Sequence, residues 1–176
     1  MNKLIINDKE YKGLVNKICR DIVLSNWKPD YVIGITRGGC LPAVMISQYF
    51  NVRCEMLKIS LRDGSEQESN LWMAEDAYGY NAAEKEGDPL CKNILVVDDI
   101  NDSGATLNWL MQDWQTSCLP ADARWNHVWG QNVKFAVVVD NLASTCKASM
   151  DYIGLEVNKA ENDVWIEFPY EEWWTK

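Results

Sequence analysis

The stretch Ile94-Leu95-Val96-Val97-Asp98-Asp99-Ile100-Asn101-Asp102-Ser103-Gly104-Ala105-Thr106 constrains the fold more than any other part of the chain. Its branched apolar run, bounded by turn residues, reads as a buried strand of a parallel sheet. The residues beyond it, with Leu107, Leu110, Met111 and Trp114 at helical spacing, read as an amphipathic helix. A strand-turn-helix of this kind aims backbone N–H groups from the turn and the helix start at one spot, which suits a phosphate. Asp98 and Asp99 fall at the carboxyl end of the strand, where ligands bind in open α/β sheets. An anion cradle beside paired carboxylates suits a phosphorylated sugar, its hydroxyls and a divalent cation being taken by the acids.

Other uses of these residues fit less well. Asp99-x-Asn101-x-Ser103-Gly104 imitates the start of an EF-hand loop, but its last ligand position is Leu110 rather than Glu, and it follows a strand. The dinucleotide fingerprint G-x-G-x-x-G and the Walker A pattern are both absent. An ordinary solvated turn capped by Ser103 explains the turn but leaves two adjacent acids at the end of an apolar strand without a reason.

The segment resembles the phosphoribosyl-pyrophosphate (PRPP) motif of type I phosphoribosyltransferases: four apolar residues, two acids, two variable residues, then Asp/Thr-Ser/Thr-Gly-x-Thr. The resemblance implies that Asp98 and Asp99 bind the ribose hydroxyls, partly through Mg²⁺. It implies that Ser103, Gly104, Ala105 and Thr106 wrap the 5′-phosphate. Asp102 lies where the purine enzymes of the family place a carboxylate near N7 of the base, a candidate general base.

A second strand-turn-helix reads Asp30-Tyr31-Val32-Ile33-Gly34-Ile35-Thr36-Arg37-Gly38-Gly39-Cys40-Leu41-Pro42-Ala43. Alone, a Gly pair after a strand is weak, since it punctuates many turns. Beside the first motif it resembles the pyrophosphate loop of the purine phosphoribosyltransferases. That assigns Thr36, Arg37, Gly38 and Gly39 to the leaving pyrophosphate and implies a non-proline cis peptide in the loop. Near the end, Asp163-Val164-Trp165-Ile166-Glu167-Phe168-Pro169 resembles the Asp-x-Trp-Ile-x-x-Pro-Trp segment of microbial xanthine-guanine phosphoribosyltransferases and their archaeal relatives. There the Trp stacks on the purine and the backbone of the next residue meets the base edge, which implies base-binding roles for Trp165 and Ile166. An aromatic plug over the core is the plainer reading of Trp165.

One position departs from the pattern. The purine enzymes place a Lys after the strand that follows the PRPP motif, donating to the exocyclic oxygen of the base. Here Phe135-Ala136-Val137-Val138-Val139-Asp140 puts Asn141 there. Its amide is shorter and neutral but can still donate. Asn141 is thus the expected base contact, with weaker discrimination for a 6-oxo group.

Composition narrows the class. A chain of 176 residues with 47% apolar content can bury one α/β core, so a single domain over 1–176 is expected. The net charge of −9 argues against a nucleic-acid partner, and no apolar run approaches a membrane span. Six Cys without C-x-x-C spacing read as reduced thiols of a cytoplasmic protein. His127 is the one histidine, which leaves little room for His-based catalysis. Nine Trp are present, and those at the tail, Trp173 and Trp174, can mediate contacts in an expected homodimer or homotetramer.

The apolar pattern predicts a helix over 9–27, strand 31–35, helix 41–50, strand 53–61, strand 94–99, helix 104–116, strand 134–140 and strand 151–157. The acidic, weakly patterned stretch from Arg62 to Lys92 is read as a flexible lid. The expected fold is α/β, the type I phosphoribosyltransferase fold. A central, mostly parallel sheet is flanked by helices, with the lid over about 62–92 and a small C-terminal hood over about 158–176. The expected activity is Mg²⁺-dependent transfer of the phosphoribosyl group from PRPP to a nucleobase, a 6-oxopurine by resemblance. The alternative is a regulatory protein of the same fold that binds PRPP or a nucleotide without turnover.

Overall fold

The computed structural model describes residues 2–61, 66–67, 70–80, 90–118 and 121–175. The strands are β1 (Asn2–Ile5), β2 (Tyr31–Thr36), β3 (Arg53–Ser60), β4 (Glu66–Gln67), β5 (Ile94–Asn101), β6 (Val133–Asn141), β7 (Tyr152–Val157) and β8 (Val164–Glu167). The helices are α1 (Asp8–Leu24), α2 (Cys40–Phe50), α3 (Leu71–Tyr78) and α4 (Ala105–Ser117). The main sheet runs β4-β3-β2-β5-β6-β7. All its pairings are parallel except the short antiparallel β3–β4 edge.

Burial on both faces explains the unbroken apolar runs of β2, β5 and β6. Side chains alternate between faces along a strand. Ile94 and Val96 of β5 therefore join the cluster under α3 and α4, with Tyr31, Ile33, Leu110 and Trp114. Leu95 and Val97 join the cluster under α1 and α2, with Val32, Ile18 and Ile46. A stack of Trp114, Trp129, Trp125 and Phe135 extends the first cluster, with Trp125 and Trp129 centroids 5.6 Å apart.

Helix α1 begins where its chemistry dictates. The Asn7 side chain accepts from the Glu10 amide at 2.9 Å, and the Glu10 carboxylate accepts from the Asn7 amide at 2.9 Å. This reciprocal cap satisfies donors that the helix start leaves open. The helix buries Tyr11, Val15, Ile18, Cys19 and Ile22 and ends at Leu24, short of the predicted 27.

The structure departs from the sequence-based expectations in the stretch read as a lid and at the two ends of the described chain. Within the stretch read as a lid, Leu71–Tyr78 is a helix with Met73, Ala74, Ala77 and Tyr78 buried. It is tied down further: Tyr31 Oη donates to Asp76 at 3.0 Å, and Lys92 pairs with Asp76 at 3.0 Å. A helix of 8 residues, about two turns, carries too little apolar periodicity to stand out in an acidic stretch. Residues 62–65, 68–69 and 81–89 of that stretch lie outside the described residues. The second departure is a separate two-stranded sheet, β1 with β8, in parallel register from Asn2↔Val164 to Ile5↔Glu167. Lys3 pairs with Glu167 across it at 2.9 Å. Strands of four residues carry almost no period, so the chain pattern alone does not announce them.

The packing supports a contrast on one helix. Ile18 is wholly buried, whereas Leu24 is 77% exposed. Ile18→Ala should cost about 2–5 kcal/mol of unfolding free energy, and Leu24→Ala no more than about 0.5 kcal/mol. Urea denaturation of both variants checks the assignment of the α1 face.

Candidate active site

Sheet order fixes where a site can form. From β2 the chain moves outward to β3 on one side, and β5 takes the other side before the chain proceeds to β6 and β7. The direction reverses between β2 and β5, and a crevice opens beyond the carboxyl ends of strands at such a point. The loops after β2 and β5 carry the two candidate motifs. The register pairs Gly34 with Val97 and Asp98 with Val137, so the ends of β2, β5 and β6 share one edge.

After β2, the Thr36–Arg37 peptide is cis, as the resemblance implies. Arg37 is exposed, and Gly39 N donates back to Ile35 O at 2.8 Å. Gly38 is required by close approach: a Cβ there would lie 1.9 Å from Asp99 Oδ2. The pyrophosphate-loop candidate thus packs directly on Asp99. Both acids are held by the backbone. Asp98 Oδ1 accepts from Asp99 N at 2.9 Å, and Asp99 Oδ1 accepts from Ile100 N at 2.8 Å.

After β5 comes the turn that leads into α4. Gly104 adopts a left-handed φ of 85°, and a Cβ there would lie 2.3 Å from Cys146 N, so only Gly fits. Ser103 and Ala105 are exposed and Thr106 is half-buried. The turn rests on residues 141–146. Ser103 O accepts from Thr145 N at 3.1 Å and from Thr145 Oγ1 at 2.9 Å. Buried Asn101 donates to Asp140 at 2.8 Å and accepts from Ser144 Oγ at 3.0 Å.

Asn141, the expected base contact, has its amide engaged within the protein. It is 6% exposed, and its amide nitrogen donates to Asp102 O at 3.1 Å and Asp102 Oδ1 at 3.3 Å. Its oxygen accepts from Ala143 N and Lys159 N, both at 3.1 Å. Two donors and two acceptor sites are the full capacity of an amide. With these contacts made, the side chain of Asn141 braces the turn after β5 against the segment after β7. A cation also reaches this turn. Lys159, in the turn after β7, places Nζ 2.9 Å from Asp102 Oδ1, with its side chain 17% exposed. No spacing rule pointed to Lys159, because it reaches Asp102 from the other side of two strands.

Trp165 and Ile166 sit on β8, in the smaller sheet. Trp165 is 41% exposed, so its ring is not a core plug, while the Ile166 side chain is buried. A further residue escaped the motif reading. Tyr170 follows Pro169, where the resembled pattern has Trp, and its hydroxyl donates to Asp99 Oδ2 at 2.7 Å. Burial, reinforced by the Asp99 charge, pushes the Tyr170 phenol up, so it stays protonated and donates. Tyr11 is raised by the same causes, burial first and then the charges of Asp99 and Asp98.

Among the described residues no cluster of three or more His, Cys, Asp or Glu side chains could hold a metal, and His127 is exposed. The six cysteines are free thiols. No described helix is long and apolar enough to cross a membrane.

Comparison with known proteins agrees with this geometry. The chain is 27% identical over 141 residues to a xanthine-guanine phosphoribosyltransferase of Idiomarina loihiensis, covering 80% of this chain and 70% of that protein. It is 24% identical over 182 aligned positions to a hypoxanthine-guanine phosphoribosyltransferase of Schizosaccharomyces pombe, covering 89% and 85% respectively. The fold matches the solved Helicobacter pylori xanthine-guanine-hypoxanthine phosphoribosyltransferase with a TM-score of 0.66 at 16% identity, over 99% of this chain and 97% of that one. The phosphoribosyl transferase domain family matches residues 5–172, nearly the whole chain, and the protein belongs to that family of phosphoribosyl-transferring enzymes.

Proposed function

We propose that this chain transfers the 5-phosphoribosyl group of PRPP to a 6-oxopurine and releases pyrophosphate. The carrying observation is the Asp102–Lys159 pair, 2.9 Å apart, at the head of the Ser103–Thr106 turn. The names of the relatives, xanthine-guanine and hypoxanthine-guanine enzymes, support the same base class.

A 6-oxopurine presents a carbonyl oxygen and, beside it, the N7–H of the imidazole ring. An ammonium and a carboxylate at hydrogen-bond distance from one another offer the matching donor and acceptor. Adenine puts an amino donor where the carbonyl stands, opposite the Lys159 ammonium, and is disfavoured. In the reaction the other imidazole nitrogen, N9, bonds to C1′ while the bond from C1′ to the pyrophosphate oxygen breaks. Asp102 accepts the proton lost from N7. The turn amides and the Ser103 and Thr106 hydroxyls hold the 5′-phosphate, and α4 adds its N-terminal dipole. Arg37 and the Gly38–Gly39 loop take the departing pyrophosphate, where charge develops. Trp165 offers a π-face to the base, worth about 1–3 kcal/mol.

Asp98 and Asp99 hold the ribose hydroxyls. Their paired hard oxygens also fit Mg²⁺, which keeps several non-protein ligands. When bound, that cation neutralises phosphate charge.

Incubation with PRPP, Mg²⁺ and a panel of bases should release pyrophosphate with guanine, hypoxanthine or xanthine. Turnover with pyrimidines alone would refute the purine assignment while leaving the PRPP assignment intact. Asp98→Asn/Asp99→Asn should weaken PRPP binding by about two orders of magnitude or more, since two charge-assisted contacts go, each worth about 1.5–3 kcal/mol. Unchanged PRPP affinity by calorimetry would contradict the ribose assignment.

Lys159→Gln should raise KM for guanine by about tenfold or more. The same change should narrow the preference over adenine, with PRPP affinity nearly intact. An unchanged guanine-to-adenine ratio would remove Lys159 from recognition.

A further inference from the structure

Three aromatic rings meet where the chain leaves β8. Phe168 stacks on Tyr170 with centroids 5.5 Å apart and planes 6° from parallel. Tyr11, from the first turn of α1, meets both edge-on at 6.2 and 5.9 Å. Stacked and edge-on contacts of this kind set ring directions as well as burying area. The backbone closes the segment: Glu171 N donates to Phe168 O at 3.0 Å, and Phe168 N donates to the Glu171 carboxylate at 2.9 Å. Tyr170 is thus a rigid arm rather than part of a loose tail.

The arm ends on Asp99. Its hydroxyl lies 2.7 Å from Oδ2, a charge-assisted O–H···O⁻ bond between residues 71 positions apart. The rest of the carboxylate is fixed too. Oδ1 accepts from Ile100 N at 2.8 Å, and Oδ2 lies over the bare Cα of Gly38, where a Cβ would come within 1.9 Å. A backbone amide, a phenol and a glycine surface together leave the carboxylate one orientation.

We propose that Tyr170 is a positioning residue: its hydroxyl holds Asp99 in the orientation that receives the ribose hydroxyls, and so couples PRPP affinity to the docking of the C-terminal segment. This rests on the assignment of Asp98 and Asp99 to the ribose. Strand β8, which carries Trp165, then shares one support with the ribose acid. The base platform and the sugar site are linked through Phe168–Tyr170 rather than assembled independently.

Tyr170→Phe keeps the stack and removes only the donor, and a double-mutant cycle with Asp99→Asn isolates the contact. PRPP affinity by calorimetry should fall about tenfold or more in Tyr170→Phe, within the range for hydrogen bonds to charged groups. KM for the base should stay within about twofold of wild type. In the Asp99→Asn background the same change should alter PRPP affinity by less than about twofold. Unchanged PRPP affinity in Tyr170→Phe, or an equal loss in both backgrounds, would overturn the proposal while leaving the function proposed above in place. A wild-type chain that binds no PRPP would overturn both.

Discussion

The side chain of Asn141 is the junction on which the site depends. One buried amide joins the end of β6 to the turn after β5 and to the backbone after β7, through bonds to Asp102, Ala143 and Lys159. Each of these segments is a connection that would otherwise drift. Because every donor and acceptor of the amide is used, internal hydrogen bonds offset the cost of desolvating it. An apolar residue of similar size would leave buried partners unsatisfied, at about 1–3 kcal/mol each. The Asp102–Lys159 pair stands where it does because this amide holds both partners.

Charge in the site is local and runs against the chain as a whole. The protein carries a formal net charge of −9, and three acids, Asp98, Asp99 and Asp102, stand within five residues of one another. Each is matched separately: Asp98 and Asp99 by backbone amides, Asp99 by Tyr170, Asp102 by Lys159 and Asn141. Arg37 is left exposed on the loop that packs against Asp99. Under the proposed function an anionic substrate is met by particular cations and amides rather than by a basic face.

Much of this was legible in the order of residues. The apolar runs of β2 and β5 are long, doubly buried and followed by turns rich in Gly and acids, so their type and approximate bounds follow from pattern. The residues of the Asp98–Thr106 and Thr36–Gly39 turns are neighbours in sequence, which is why a motif brings them together. What stayed hidden acts across distance. Tyr170 reaches an acid on β5 and Lys159 one in the turn after it, and Asn141 keeps its place in the strand while its amide turns inward. Helix α3 and the β1–β8 pair were missed for a related reason: each is short, and its partners lie far away in the chain.

The role of Asp102 is the most direct test of this account. In Asp102→Asn the turn keeps a polar side chain of the same size, but the proton acceptor is gone. PRPP affinity by calorimetry should remain within about threefold of wild type, while kcat with guanine falls by about 10²–10⁴-fold, the usual contribution of a positioned general base. A kcat equal to that of the wild type would contradict the account.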